Sequence, residues 1–168
     1  MSNTPEDSKR RHVFISHYHE DDASVDKLSN LLSGKGYDLR NSSIRAKPAN
    51  QERLEKGLVK PEVIQRLLRM KISWAGTVVV LIGKETHSRP WVNWEIDQAH
   101  KLGKRIVGVW EQGGTEADLP TNFEKYGDAL VGWQSERIID AIDGKIDNWE
   151  TPVGAQWPKR EIPRVVCQ

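Results

Sequence analysis

At 168 residues the chain is long enough for one domain with a sizeable core, whereas two domains would leave each half small. Its 25 basic and 24 acidic residues sum to +1, which gives no electrostatic reason to expect nucleic acid or an anionic membrane as a partner. The single cysteine, Cys167, rules out an internal disulfide and a cysteine-based metal cluster, and fits a reducing cytoplasm.

Residues 1–11, MSNTPEDSKRR, carry charge but no apolar stretch, so they read as a solvated, disordered tail and not as a secretory signal. Val13–Ile15 predicts a central strand. Asp21 or Asp22 suits the cap of a helix whose Val25, Leu28, Leu31 and Leu32 share one face, with Gly34 and Gly36 to stop it. Tyr37–Arg40 predicts a short second strand. Asn41–Asn50 is polar and without periodicity, hence a loop, and the charged stretch Gln51–Lys60 has room for a helical turn. Pro61 suits a first helical position, and Val63, Leu67, Met70 and Trp74 recur after it at helical spacing.

The short β-branched run Thr77–Ile82 predicts a buried parallel strand ended by Gly83, and it is far too short to span a bilayer. Ser88 and Pro90 suit the start of a helix that Gly103 ends. Ile106–Trp110 predicts the fourth strand. Glu111–Gly127, with Gly113, Gly114 and Pro120, reads as a loop with room for one short helix. Ala129–Trp133 predicts the fifth strand, and Ser135 suits the cap of a last helix with Ile138, Ile139, Ile142 and Ile146 as its apolar face. Pro152, Pro158 and Pro163 argue against a regular helix over Asp147–Gln168, a segment expected to pack back on the domain because exposed Trp149 and Trp157 would be a liability. The seven tryptophans are expected mostly in packing roles. Strands and helices alternate throughout, so the fold class is α/β: a five-stranded parallel sheet with helices on both faces.

The chemistry concentrates where strands end. Trp91 and Glu95 are four apart on one helical face, beside an apolar stripe of Val92, Ile96 and Ala99 that should face the sheet. Glu95 is thereby placed at the edge of the buried face, beyond a strand's carboxyl end, where open α/β sheets bind ligands. By position alone it would be a surface glutamate stabilised near the positive end of the helix. Ser16, His17, Tyr18 and His19 form a second strand-end loop. There Ser16 suits a hydrogen bond to a polar group of a ligand, and Tyr18 suits stacking on a flat ring. These histidines and Glu20, Asp21 and Asp22 lack a convincing ligand spacing, so no metal site is expected. There is no Gly-x-Gly-x-x-Gly, no phosphate loop with Gly-Lys-Ser/Thr and no hydrolase elbow, which leaves a hydride-transfer dehydrogenase or a nucleotide kinase unsupported.

Leu81-Ile82-Gly83, a polar loop and then Trp91-x-x-x-Glu95 opening a helix resembles the TIR (Toll/interleukin-1 receptor) family. Arg89-x-Trp-Val-x-x-Glu-Ile96 is most similar to the bacterial TIR-like proteins of Thoeris-type anti-phage defence. His12-Val-Phe-Ile-Ser-His-Tyr-His-Glu-Asp-Asp22 resembles the TIR first strand and its loop, commonly Phe-Ile-Ser-Tyr-x-x-x-Asp, with His17 where many relatives have Tyr and Tyr18 next. The motifs follow in the family's order, roughly 80 residues apart.

The resemblance spans about residues 12–146 and implies a flavodoxin-like, three-layer TIR-like domain there, between the tail at 1–11 and the extension at 147–168. It implies that Glu95 is catalytic, acting on NAD at the ribose next to nicotinamide, with Ser16, His17, Tyr18, Asn41, Thr86 and Trp91 binding the substrate. The loop Asn41–Asn50 would cover the site, with Arg45 and Lys47 either facing the pyrophosphate or serving as ordinary solvated charges. NAD is then a substrate, and no resident cofactor is expected. The implied product is a cyclic ADP-ribose variant, made in the cytoplasm and read by a separate effector protein. Self-association through TIR-like surfaces is implied as well. A non-catalytic TIR-like interaction scaffold is the alternative. A flavodoxin-like receiver is a further one, but it would want a phospho-acceptor aspartate where the chain has Ile82-Gly83-Lys84.

Overall fold

The computed structural model describes residues 12–17, 22–41, 56–57, 60–84 and 86–156. They form strands β1 (His12–Ser16), β2 (Asp38–Asn41), β3 (Thr77–Ile82), β4 (Arg105–Trp110) and β5 (Ala129–Val131). The helices are α1 (Asp22–Ser33), α2 (Pro61–Trp74), α3 (Pro90–Lys101), α4 (Thr121–Tyr126) and α5 (Ser135–Ile142), with 3-10 turns at Thr86–Ser88 and Glu116–Asp118. All four strand pairings are parallel, in the order β2-β1-β3-β4-β5, so the sheet is the expected five-stranded parallel one.

Side chains alternate across a strand, and this sorts the core into two layers. Phe14, Val78, Val80, Ile82, Ile106 and Leu130 face α2, α3 and α4, where Ile64, Leu68, Ile72, Val92, Ile96 and Phe123 meet them. The intervening residues, among them Val13, Ile15, Val79, Leu81, Val107 and Val109, face Val25, Leu28 and Leu32 of α1 and Ile138, Ala141 and Ile142 of α5. Every residue of β3 is buried, which is why that strand lacks alternation in its sequence. Gly108 in β4 leaves space for the first layer: a Cβ there would lie 2.6 Å from Phe123 Cζ and 2.8 Å from Leu130 Cδ1.

Three expectations shift. The helix from Pro61 does form, but it buries Ile64, Leu68 and Ile72, while Val63, Leu67 and Met70 are 37%, 38% and 63% exposed. The two apolar stripes lie one residue apart, about 100° around the helix, and only contact with the sheet decides between them. β5 stops at Val131 because the Gly132 N–H bonds to the Glu150 carboxylate (3.1 Å). Ser135 is the first helical residue and Gln134 occupies the cap; α5 ends at Ile142, and Ile146 packs from the turn beyond it.

Residues 148–150 run beside β5. Leu130 N donates to Asn148 O (2.9 Å) and Glu150 N donates to Leu130 O (2.8 Å). Trp149 packs on Phe123 with ring centroids 5.2 Å apart, and the Trp110 indole N–H donates to Glu150 O (2.8 Å). Trp157 lies outside the described residues. Among the described residues, no helix is long and apolar enough to cross a membrane.

Candidate active site

The strand order reverses direction between β1 and β3. The chain leaves β1 for β2 on one side and returns to β3 on the other. In open α/β sheets such a reversal marks the crevice where ligands bind, here outside the carboxyl ends of β1 and β3. Ser16 ends β1, paired with Val80 of β3. It has the same parity as Phe14, so its side chain points to the layer holding α3.

The turn after β3 brings α3 to this crevice. Thr86 Oγ accepts from Gly83 N (2.9 Å) and donates to Gly83 O (2.8 Å), closing the turn on itself. Arg89, with extended backbone (φ −94°, ψ 106°), then precedes Pro90 at the first helical position. Glu95 follows in the second turn of α3 and is fully buried with Val92, Ile96 and Ala99. Its Oε1 accepts a hydrogen bond from Ser16 Oγ at 2.8 Å. It is thus not the surface glutamate of an amphipathic helix. A carboxylate taken out of water costs several kcal/mol, offset only in part by hydrogen bonds, and an apolar residue would be cheaper there.

Of the other residues singled out, His17 follows Ser16 and is 1% exposed. Trp91 is half-buried against the first core layer, edge-on to Trp94 (centroids 5.7 Å apart, 77° between planes), one turn before Glu95. Asn41 ends β2 opposite Ile15, one residue short of Ser16, and its carbonyl accepts from Lys71 Nζ (3.1 Å). Thr86 is buried and its hydroxyl serves the Gly83 turn, so what it supplies to the crevice is the shape of that turn. Ser16, His17, Glu95 and Trp91 therefore gather at the ends of β1 and β3 and on α3, while Asn41 borders them from the sheet edge. Tyr18, Arg45 and Lys47 lie outside the described residues, as does the loop after Asn41 as far as residue 55.

Two further residues complete the surroundings. Trp94 packs between Trp91 and the Arg69 guanidinium, 5.7 Å from its ring centre, and Arg69 Nε donates to Gln98 Oε1 (3.1 Å). Glu111, the first residue after β4, is 8% exposed, and its carboxylate fills the space where any side chain at Gly83 would stand. Its place just past a strand's carboxyl end is the signal that marks it in the sequence. Among the described residues, no group of three His, Cys, Asp or Glu side chains is placed to hold a metal ion.

Comparison with known proteins adds the following. The family model for the TIR-like domain of Thoeris protein ThsB matches residues 14–116, more than half of the chain. No curated protein matches it. Among solved structures, the CMP N-glycosidase BcmB of Clostridium botulinum is similar at a TM-score of 0.50 and 14% identity, covering 80% of this chain and 99% of that one. A protein described as pilus assembly-related, from Burkholderia pseudomallei, is similar at a TM-score of 0.49 and 10% identity, covering 81% and 90%. At 14% identity the likeness to BcmB is one of fold.

Proposed function

The chain belongs to the family of the Thoeris ThsB TIR-like domain, and from that premise we propose that it cleaves the bond between nicotinamide and ribose in NAD and makes a cyclic ADP-ribose-type signal. The observation that carries the reading is the Ser16–Glu95 hydrogen bond: a buried carboxylate held at the switch point of an open sheet. The likeness to an N-glycosidase is consistent with this at the level of fold.

The chemistry suits a single carboxylate. As the ribose C1′–N bond of NAD breaks, its electron pair goes to the pyridinium nitrogen, and nicotinamide leaves neutral without needing a general acid. Positive charge develops on the ribose, and Glu95 is the group that stabilises it. Ser16 holds the carboxylate by donating to Oε1. Trp91 walls the pocket. The ribosyl cation is then captured by a nucleophile of the same molecule, which closes the ring, or by water, which gives linear ADP-ribose. Excluding water decides between the two. The cyclic product would act through a separate effector protein.

The test is incubation of the protein with NAD, alone and with extracts of phage-infected cells, followed by separation and mass analysis of the products. Nicotinamide with a cyclic ADP-ribose isomer is expected. Intact NAD under both conditions would leave the scaffold reading, which one observation favours: α2 presents Val63, Leu67 and Met70 to solvent as a contiguous apolar stripe.

A further inference from the structure

Asn93 stands midway between Trp91 and Glu95 in the chain, but two residues turn a helix by about 200°, so it leaves α3 on the face opposite to both. That face meets α4. Asn93 Oδ1 accepts from the Asn122 backbone N–H (3.1 Å), and the Asn122 side-chain amide donates to Asn93 O (2.8 Å). The other end of the Asn93 amide, Nδ2, donates to His87 O (3.3 Å) and Arg89 O (3.4 Å) in the turn that leads into α3. One side chain thus joins three segments: the turn after β3, the start of α3 and the start of α4.

The join has a physical reason. Arg89 and Pro120, the cap residues of α3 and α4, make no side-chain cap bond of their own. The Asn122 N–H is among the amides that the start of a helix leaves without an intrahelical partner, and Asn93 supplies its acceptor from the neighbouring helix. Only an amide side chain offers an acceptor and two donors at once. Aspartate in the same shape would set a carboxylate against the carbonyls of His87 and Arg89. The same two turns meet again where His87 Nδ1 lies 3.8 Å from Asp118 Oδ1, just ahead of α4. At the far end of the helix pair, His100 stacks on Tyr126 with centroids 3.8 Å apart.

What this controls is the rotation of α3 about its axis. A glutamate carboxylate stands roughly 6 Å from the axis of its helix, so a turn of only about 10° carries it about 1 Å. The apolar contacts of Val92, Ile96 and Ala99 with the sheet are non-directional and resist such a turn weakly. Hydrogen bonds are directional and resist it. Ser16 holds Glu95 on one side of α3, and the Asn93 cluster holds the helix from the other. A misplacement of about 1 Å in a reacting group can cost on the order of a hundredfold in rate. We propose that Asn93 is a positioning residue for the reaction: by tying α3 to α4 and to its own entry turn, it sets where the Glu95 carboxylate stands. The inference rests on the reading of Glu95 as the group that acts on NAD.

The test pairs kinetics with a signal that needs no turnover, the side-chain carboxyl carbon resonance of Glu95 in protein labelled with 13C-glutamate, assigned by its loss in Glu95→Gln. Asn93→Ala is expected to displace that resonance and to lower kcat at least tenfold with KM within twofold. Asn122→Ala, which removes one of the bonds, should act in the same direction and less. Tyr126→Ala breaks the stack at the other end of the helix pair and uncovers part of the core. It should lose at least as much stability in chemical denaturation as Asn93→Ala, yet leave the resonance in place and kcat within twofold of the parent. A Glu95 resonance that stays put in folded Asn93→Ala protein, or one that moves as far in Tyr126→Ala, overturns the proposal. So does an Asn93→Ala variant whose kcat stays within twofold of an active parent. A parent that leaves NAD intact is the failure of the cleavage reading, and the resonance then still decides whether Asn93 positions Glu95.

Discussion

Ser16 and Glu95, 79 positions apart, meet at 2.8 Å between the end of β1 and the second turn of α3. Neither is exposed, so the contact fixes the carboxylate before any ligand arrives. Preorganisation of this kind is what makes a charged group effective against a developing cation. Glu95→Gln removes the charge and little volume. We expect the fold to persist by circular dichroism and NAD consumption to fall at least a hundredfold, about 2.7 kcal/mol in barrier. Turnover within about twofold of the parent would return Glu95 to a structural role.

Ser16→Ala removes the donor and leaves the buried carboxylate short of a partner. The cost should be about 1–3 kcal/mol of stability, read in chemical denaturation. The same loss lets the carboxylate relax away from its position, so kcat should drop at least tenfold. A variant that loses stability but keeps kcat would separate packing from catalysis and assign Ser16 to the former.

The strands and the α3 motif were legible in the sequence because their signals are local. The β-branched run of β3 and the Pro90-Trp91…Glu95 spacing need no tertiary information, and the alternation of elements leads to the parallel sheet. The burial of Glu95 was not legible: a glutamate four residues after a tryptophan looks the same whether a serine 79 positions earlier reaches it or water does. The inward face of α2 was hidden for a related reason, since both of its stripes obey the same period and only the sheet chooses. Thr86 shows a third limit, because a hydroxyl in a strand-end loop is equally suited to a ligand and to the backbone of its own turn.

Trp91 stands one turn from Glu95 and leans on Trp94, a T-shaped pair that holds its indole in place. If it stacks on a ring of NAD, Trp91→Ala forfeits roughly 0.5–1.5 kcal/mol beyond burial, a several-fold rise in KM. A shift from cyclic toward linear product should accompany it, since a gap in the wall admits water. Steady-state kinetics with product quantification decides. Unchanged KM and product ratio in a folded variant would make Trp91 a core residue only.

Glu150 is 6% exposed and its carboxylate is shared between Arg137 and Gly132. Arg137→Ala removes both guanidinium contacts, Nε to Oε1 and Nη2 to Oε2, and leaves that buried charge with the Gly132 bond. Because Arg137 is 39% exposed and water can replace part of it, the expected cost is about 1–3 kcal/mol and not the larger figure of a fully buried pair. Hydrogen exchange at Leu130, Gly132 and Glu150 should rise together, as these amides belong to one clasp. Exchange that rises uniformly over the whole sheet would show that no local clasp exists.

The exposed stripe of α2 bears on how the site excludes water. Val63, Leu67 and Met70 are 37%, 38% and 63% exposed, so this face of α2 leaves apolar surface uncovered, whereas Trp74 at the same helix's end is covered by His12 and Arg40 at ring distances of 4.3 Å. Cyclisation needs a pocket closed to water, and the polar loop after Asn41 carries little apolar surface to close it. The net charge of +1 opposes contact between copies only weakly. We therefore predict that copies of the chain associate through the α2 face and that activity depends on it. Specific activity should rise with protein concentration, in step with the mass measured by light scattering. Met70→Glu should lower both, at least tenfold in activity at micromolar protein. Val153→Glu, at a residue 91% exposed and remote from the stripe, should change neither. Constant specific activity from a sample that stays monomeric would sink the idea, and the pocket would then have to close within one chain.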